Sequence, residues 1–136
     1  GDAHGDNYYQ KMVEPKHRNR IVFAGGRKEI PELMKLADVL FLPSEGEGLP
    51  GVVMEAMAAG LPVVATKEGC TSDLIEDGEE GYLVGMNKRE EGYFLAMKTL
   101  LSDSTLANNF SGKGMEKIKK FEWRKIVQKY YDVYQK

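Results

Sequence analysis

Two uninterrupted apolar runs, Val39-Leu40-Phe41-Leu42-Pro43 and Pro62-Val63-Val64-Ala65-Thr66, stand on either side of a segment in which Leu49, Val52, Val53, Ala56 and Met57 recur with the helical period. A continuous apolar run of this length fits a strand buried on both faces, and the 3.6-residue period between the runs fits a helix. Strand, helix, strand in that order predicts a parallel pair joined by a crossover helix. Pro43 sits at the exit of the first run, where no ladder donor is needed. Gly60 sits where the helix must stop, as a C-terminal cap.

The same pattern extends in both directions. Ile21-Val22-Phe23-Ala24-Gly25 reads as another buried strand running into a turn at Gly25-Gly26, and Gly81-Tyr82-Leu83-Val84 as a short strand after a turn at Asp77-Gly78. Helices are expected from Pro31 to Ala37, with proline at the favoured first position, and over a short stretch from Thr71 to Glu76. Further helices are expected from Glu90 to Leu101, from Leu106 to about Lys120, and from Trp123 onward. The sum is an α/β, Rossmann-like three-layer sandwich with a parallel sheet of about four strands covered on both sides. The 136 residues suffice for one domain with a core of its own and not for two ordinary ones, so residues 1–136 are expected to form a single domain.

Composition narrows the function classes. A formal net charge of -2 argues against a general nucleic-acid binder. One cysteine, Cys70, forbids an internal disulfide and fits a reducing compartment; a small buried thiol is its expected state. His4 and His17 both lie in the polar first twenty residues and read as solvated side chains, so no metal site is expected. The opening Gly1-Asp2-Ala3-His4 lacks the form of a signal peptide, and no apolar run approaches the roughly 20 residues of a membrane helix. A cytoplasmic location is the expectation. Between Ser111 and Lys136 eight Lys or Arg face three Asp or Glu. The favoured reading is a solvated helix face; the sharper one is a surface that touches anionic lipid headgroups or another domain.

The loop between the first run and its helix, Ser44-Glu45-Gly46-Glu47-Gly48, carries the chemistry. Ligands of open parallel sheets bind outside the carboxyl ends of the strands, where this loop lies. Gly46, Gly48 and Gly51 allow backbone to approach a ligand closely, and the helix that follows offers unpaired N–H groups and partial positive charge, which together suit a diphosphate. Glu55, one turn into the helix, leans back toward that start and could accept two ribose hydroxyls. Glu47 could face whatever is attached beyond the phosphates. The spacing of these two glutamates is uninformative alone, because Glu68 and Glu76 repeat it in a polar connection.

Two rival readings stay open. Gly46-Glu47-Gly48-Leu49-Pro50-Gly51 also spells the dinucleotide G-x-G-x-x-G, with Glu68 about 20 residues beyond Gly48, so an NAD-type domain is an alternative. Against it, another strand–helix unit is expected ahead of this loop, and the acid should end the next strand, which is expected to stop near Thr66. The other rival is a folded interaction domain whose glycine loop is only a tight turn.

Ala37-Asp38-Val39-Leu40-Phe41-Leu42-Pro43-Ser44, followed by Glu47-Gly48-Leu49-Pro50 and the run from Gly51 through Glu55-Ala56-Met57-Ala58-Ala59-Gly60 to Pro62-Val63-Val64-Ala65-Thr66, resembles the C-terminal half of family-four (group 1) glycosyltransferases. Weaker echoes are Ile21–Gly25, Asp73–Val84 and Phe121-Glu122-Trp123, so the likeness covers most of the chain from Ile21. These are retaining, metal-independent enzymes of the GT-B fold that use no cofactor beyond a nucleoside-diphosphate-sugar donor. The resemblance implies that Glu55 holds the ribose hydroxyls and that Glu47 is the catalytic glutamate, beside the donor sugar. It implies that backbone N–H groups of Gly48, Leu49, Gly51 and Val52 meet diphosphate and sugar, and that Gly26 and Arg27 lie near the nucleobase. Pro50 has no N–H, so one donor of the family pattern is missing; Cys70 stands where the family usually has glycine.

The resemblance also implies what the chain does not contain: an N-terminal acceptor-binding domain with a catalytic histidine, and a "G-R" strand with a following lysine that neutralise the diphosphate. The chain is therefore expected to be an incomplete C-terminal nucleotide-sugar-binding domain of a larger two-domain hexosyltransferase, without appreciable transfer activity by itself, and serving polysaccharide or glycolipid biosynthesis.

Overall fold

Val63-Val64-Ala65-Thr66 has every side chain buried, which only the centre of a sheet covered on both faces provides. The computed structural model describes residues 7–46, 48–87 and 89–135. It divides into two compact units, Gly1–Ile30 and Pro31–Lys136. In the first unit, helix α1 (Asn7–Met12) leads into a 3-10 helix at Pro15–Arg20. The amide of Ile21 bonds to the carbonyl of Arg18, and the Arg18 side chain donates to the carbonyl of Val13 at 3.2 Å.

The expected strand at Ile21–Gly25 does not form. Val22 is 87% exposed, and among the described residues no strand pairs with this run. An apolar run becomes a strand only when a neighbour takes up its backbone groups, and composition alone cannot supply that neighbour. The sheet accordingly has three strands among the described residues and not about four.

Helix α2 (Ile30–Lys35) leads into the second unit, followed by β1 (Leu40–Leu42), α3 (Gly51–Ala59), β2 (Val63–Thr66), α4 (Thr71–Leu74), β3 (Gly81–Val84), α5 (Arg89–Ser102), α6 (Ser104–Ile118) and α7 (Trp123–Tyr134), with a 3-10 turn at Lys119–Phe121. The strands are parallel in the order β1-β2-β3, in register Leu40 with Val63 and Val63 with Gly81. Side chains alternate between the faces of a strand. Val64 and Val84 therefore join Tyr93, Ala96 and Leu100 of α5 and Phe110 of α6 in one core cluster. Val63 and Ala65 point to the other face, where α3 contributes the buried Val53, Ala56 and Met57. Phe110, 1% exposed, meets Tyr82 edge to face at 5.2 Å between ring centroids. Burying a side chain of that size contributes about 1.5–3 kcal/mol.

β1 departs from expectation: Phe41 is 43% exposed, because this strand is at the sheet's edge. α3 ends as its sequence demands. Gly60 adopts φ 74°, and the amide of Leu61 reaches back to the carbonyl of Ala56 at 2.9 Å, a Schellman closure that a Cβ would strain. α6 begins two residues earlier than its apolar pattern predicts, because Asp103 caps it by accepting from the Leu106 amide at 2.9 Å. Among the described residues, no helix is long and apolar enough to cross a membrane.

Candidate nucleotide-sugar site

Parallel strands put their carboxyl ends on one side, so the segments after Leu42, Thr66 and Val84 share one rim of the sheet. The loop after β1 turns at Gly46, which adopts φ 74°, a conformation open to glycine at no steric cost. Gly48 and Leu49 are exposed, Pro50 is buried, and Gly51 and Val52 open α3 at the surface. Among the described residues no side chain caps this helix. The amides of Val53 and Met54 turn back to the carbonyl of Pro50, which leaves the first amides of the helix, at Gly51 and Val52, facing its open end. A nine-residue helix whose start is uncapped and preceded by glycines suits an anion.

Glu55 lies four residues after Gly51, one turn along the same face, and is exposed. It borders an open groove of about 510 Å³ with Met115, Ile118 and Phe121 on the far wall. Gly48, Leu49, Pro50, Gly51, Val52 and Glu55 are thus gathered on one loop and helix start. Glu47 lies outside the described residues. Gly26 and Arg27 belong to the first unit, where Arg27 pairs with Glu29 at 3.4 Å. Cys70 is half-buried and precedes α4, rather than the fully buried thiol its size suggests.

The structure adds residues at this rim that sequence reasoning passes over. The Thr66 hydroxyl, at the end of β2, shares a 2.6 Å hydrogen bond with the Tyr93 hydroxyl. The Tyr93 ring stands edge-on to Phe41 of β1, 5.0 Å between centroids. Arg89, at the first residue of α5, directs both terminal nitrogens at one carboxylate oxygen of Glu45 in the glycine loop. Its guanidinium is held above the ordinary arginine range, first by a hydrogen bond with Tyr93; partial desolvation opposes this, and the charges of Glu45 and Glu68 add to it. The sequence signal for this cluster was topological: residues just after parallel strands converge, whatever their separation along the chain.

Glu68 follows β2 by two residues, its amide bonded to the Thr66 carbonyl, so it does not end the strand as a dinucleotide-binding acid would. The expected strand ahead of the loop is not formed, so the order of units no longer counts against an NAD-type site. Comparison with known proteins decides more firmly.

Residues 1–103 match the family model described as glycosyl transferases group 1. The N-acetyl-alpha-D-glucosaminyl L-malate synthase of Bacillus anthracis is 32% identical over 126 residues, which is 91% of this chain and 33% of that protein. Among solved structures, Anabaena HepE in complex with UDP superposes with a TM-score of 0.85 at 27% identity, covering 95% of this chain and 36% of that one. The C-terminal domain of the group 1 glycosyl transferase LpcC from Francisella tularensis superposes with a TM-score of 0.67 at 28% identity, over 82% of this chain and 61% of that one. The chain spans about a third of the length of the curated relatives it matches. Its α/β architecture with a parallel sheet is that of the C-terminal, donor-side half of a GT-B enzyme, and the chain belongs to the group 1 glycosyltransferases.

Proposed function

We propose that this chain is the donor-binding domain of a hexosyltransferase and binds a nucleoside-diphosphate sugar. The observation that carries the reading is the uncapped start of α3 behind a glycine loop at the carboxyl rim of the sheet, in a chain of this family. In this reading the amides of Gly48, Leu49, Gly51 and Val52 hold the diphosphate and the sugar. Glu55 takes the ribose hydroxyls, Glu47 lies beside the donor sugar as the catalytic glutamate, and Gly26 and Arg27 serve the nucleobase. Pro50 supplies no donor, so the diphosphate loses one possible hydrogen bond there. HepE was crystallised with UDP, which makes a uridine nucleotide the first candidate.

The domain recognises and orients the donor, and the acceptor is held by a separate N-terminal domain. Stabilisation of the leaving diphosphate by charge is a major term in such transfers, and the guanidinium at this rim, Arg89, is already paired with Glu45. The 136 residues alone therefore bind donor without appreciable transfer. Binding needs no metal and survives EDTA. Peripheral membrane contact is supported by α7, where Trp123, Val127 and Tyr130 are exposed alongside Arg124 and Lys125. Cosedimentation with vesicles rich in anionic lipid tests that contact. Titration calorimetry with UDP, GDP and ADP at millimolar concentration tests the main reading. One nucleotide is expected to bind, and Glu55→Ala is expected to abolish the heat; no heat with any of them refutes donor binding by this chain.

A further inference from the structure

We propose that Arg89 is a positioning residue of the donor site, which by gripping Glu45 holds the loop between β1 and α3 in the shape that receives the nucleoside diphosphate. The ligand in this inference rests on the donor-binding reading above; the grip itself does not. Glu45 stands three residues beyond β1, and Arg89 opens α5 beyond β3. β1 and β3 flank β2 in the sheet, so the pair bridges the carboxyl rim from one outer strand to the other. It joins residues 44 apart in sequence and ties a glycine-containing loop to a 14-residue helix.

Arg89 is anchored from behind. Tyr93 lies one helical turn further along α5 and is fixed to Thr66 by its hydroxyl and to Phe41 by its ring, so the arginine springs from a helix end tied to both β2 and β1. The Arg89 side chain is 27% exposed and the Glu45 side chain 61%, so the cation is the sheltered partner and the loop carboxylate comes to it. The Nε of Arg89 is shielded from solvent and has no hydrogen-bond partner among the described residues. A shielded, unpartnered N–H is unfavourable, and an arginine serving only as a solvated charge would avoid it. The orientation gives up Nε while both terminal nitrogens converge on the loop. Such a two-armed grip fixes direction as well as distance, which one ammonium group would not.

The test measures loop order and nucleotide affinity in the same variants. Amide hydrogen exchange is followed over residues 44–50 in the parent chain, Arg89→Ala and Glu45→Gln; the second variant changes an exposed loop residue and leaves the core untouched. Faster exchange in the loop, with β2 and the body of α5 unchanged, is expected in both, and unchanged loop exchange overturns the proposal. UDP, GDP and ADP affinities are then compared. Each single variant is expected to bind about threefold to tenfold more weakly, with the double variant no worse than either. The swapped pair, Arg89→Glu with Glu45→Arg, is expected to recover part of the loss. If Arg89→Ala weakens binding while Glu45→Gln does not, Arg89 contacts the nucleotide directly and the positioning role is wrong. If the parent binds none of the three nucleotides while loop exchange responds, the donor-binding reading fails and the grip stands.

Discussion

The hydroxyl of Tyr93 and the hydroxyl of Thr66 meet at 2.6 Å, fastening the end of the central strand to α5 across 27 residues of chain. Thr66 is 2% exposed and Tyr93 8%, so water has little access to either oxygen. In Tyr93→Phe the ring stays packed and the Thr66 hydroxyl loses its partner. Leaving a buried polar group unpaired costs about 1–3 kcal/mol, more than the net value of an ordinary hydrogen bond. Tyr93→Phe combined with Thr66→Val removes both polar groups and should be less destabilised than the two single losses added together. Urea unfolding of the four proteins checks this, and strict additivity would mean that the hydroxyls do not interact.

Gly92→Ala sets two effects against each other. Alanine is favoured over glycine inside a helix by about 1 kcal/mol. A Cβ at this position, however, would sit 2.6 Å from the Cγ1 of Val84, with the other Val84 carbons at 3.7 Å. Val84 belongs to the core cluster beneath α5 and, being β-branched, has little rotameric freedom with which to retreat. Overpacking of this kind costs about 1–3 kcal/mol. The clash is expected to win, so Gly92→Ala should lower the urea midpoint, and Val84→Ala placed in the same chain should relieve part of the loss. A raised midpoint for Gly92→Ala would show that α5 can lift off the strand without cost.

Much of this was visible in the chain itself, and what was hidden was hidden for physical reasons. β2 and α3 were legible because four consecutive buried residues and a 3.6-residue period leave few alternatives, and Gly60 marked the stop. The loop's place ahead of a helix start followed from its glycines and the apolar period behind it. Ile21–Gly25 has the composition of β1 and forms no strand, because a strand is completed by its neighbour and not by its own residues. Phe41 looked like core and is 43% exposed, because its strand lies at an edge. Asp103 could have fixed the start of α6, since a capping side chain outranks the first apolar residue as a boundary signal. Arg89 and Glu45 carry no mutual signal in sequence; only the shared rim of parallel strands brings them together.

The pair Glu116–Lys119, closed at 2.6 Å, gives a pH dependence with a definite sign. Glu116 is held below its ordinary value, chiefly by the hydrogen bond from Lys119 and then by the lysine's charge. A carboxylate with a depressed folded-state pKa stabilises the fold above its unfolded value and loses that contribution as pH falls through the folded one. Thermal melts of the parent and Glu116→Gln should therefore differ slightly at neutral pH and converge in acid. Both side chains are more than half exposed, so added salt should shrink the neutral-pH difference as well. A gap that persists at acid pH would assign the effect to something other than charge.

Two lysines of α6 reach the turn before β3 in parallel, and burial separates their expected effects. Lys113 pairs with Glu79, at 39% and 48% side-chain exposure; Lys117 pairs with Glu80 at 2.9 Å, at 23% and 11%. The same Glu80 oxygen also accepts the Glu76 amide at 2.8 Å, so this carboxylate organises the turn from a sheltered position. An exposed pair contributes about 0–1 kcal/mol, whereas a hydrogen bond to a sheltered charge contributes about 1.5–3 kcal/mol. Lys113→Ala is therefore expected to be nearly neutral and Lys117→Ala clearly destabilising. Lys117→Met, which keeps an apolar stem over the turn, should still lose most of what Lys117→Ala loses, because the missing partner is the charge. Urea midpoints of the three variants decide the matter. Equal losses in Lys113→Ala and Lys117→Ala would mean that the shelter around Glu80 does not set the strength of its pairing.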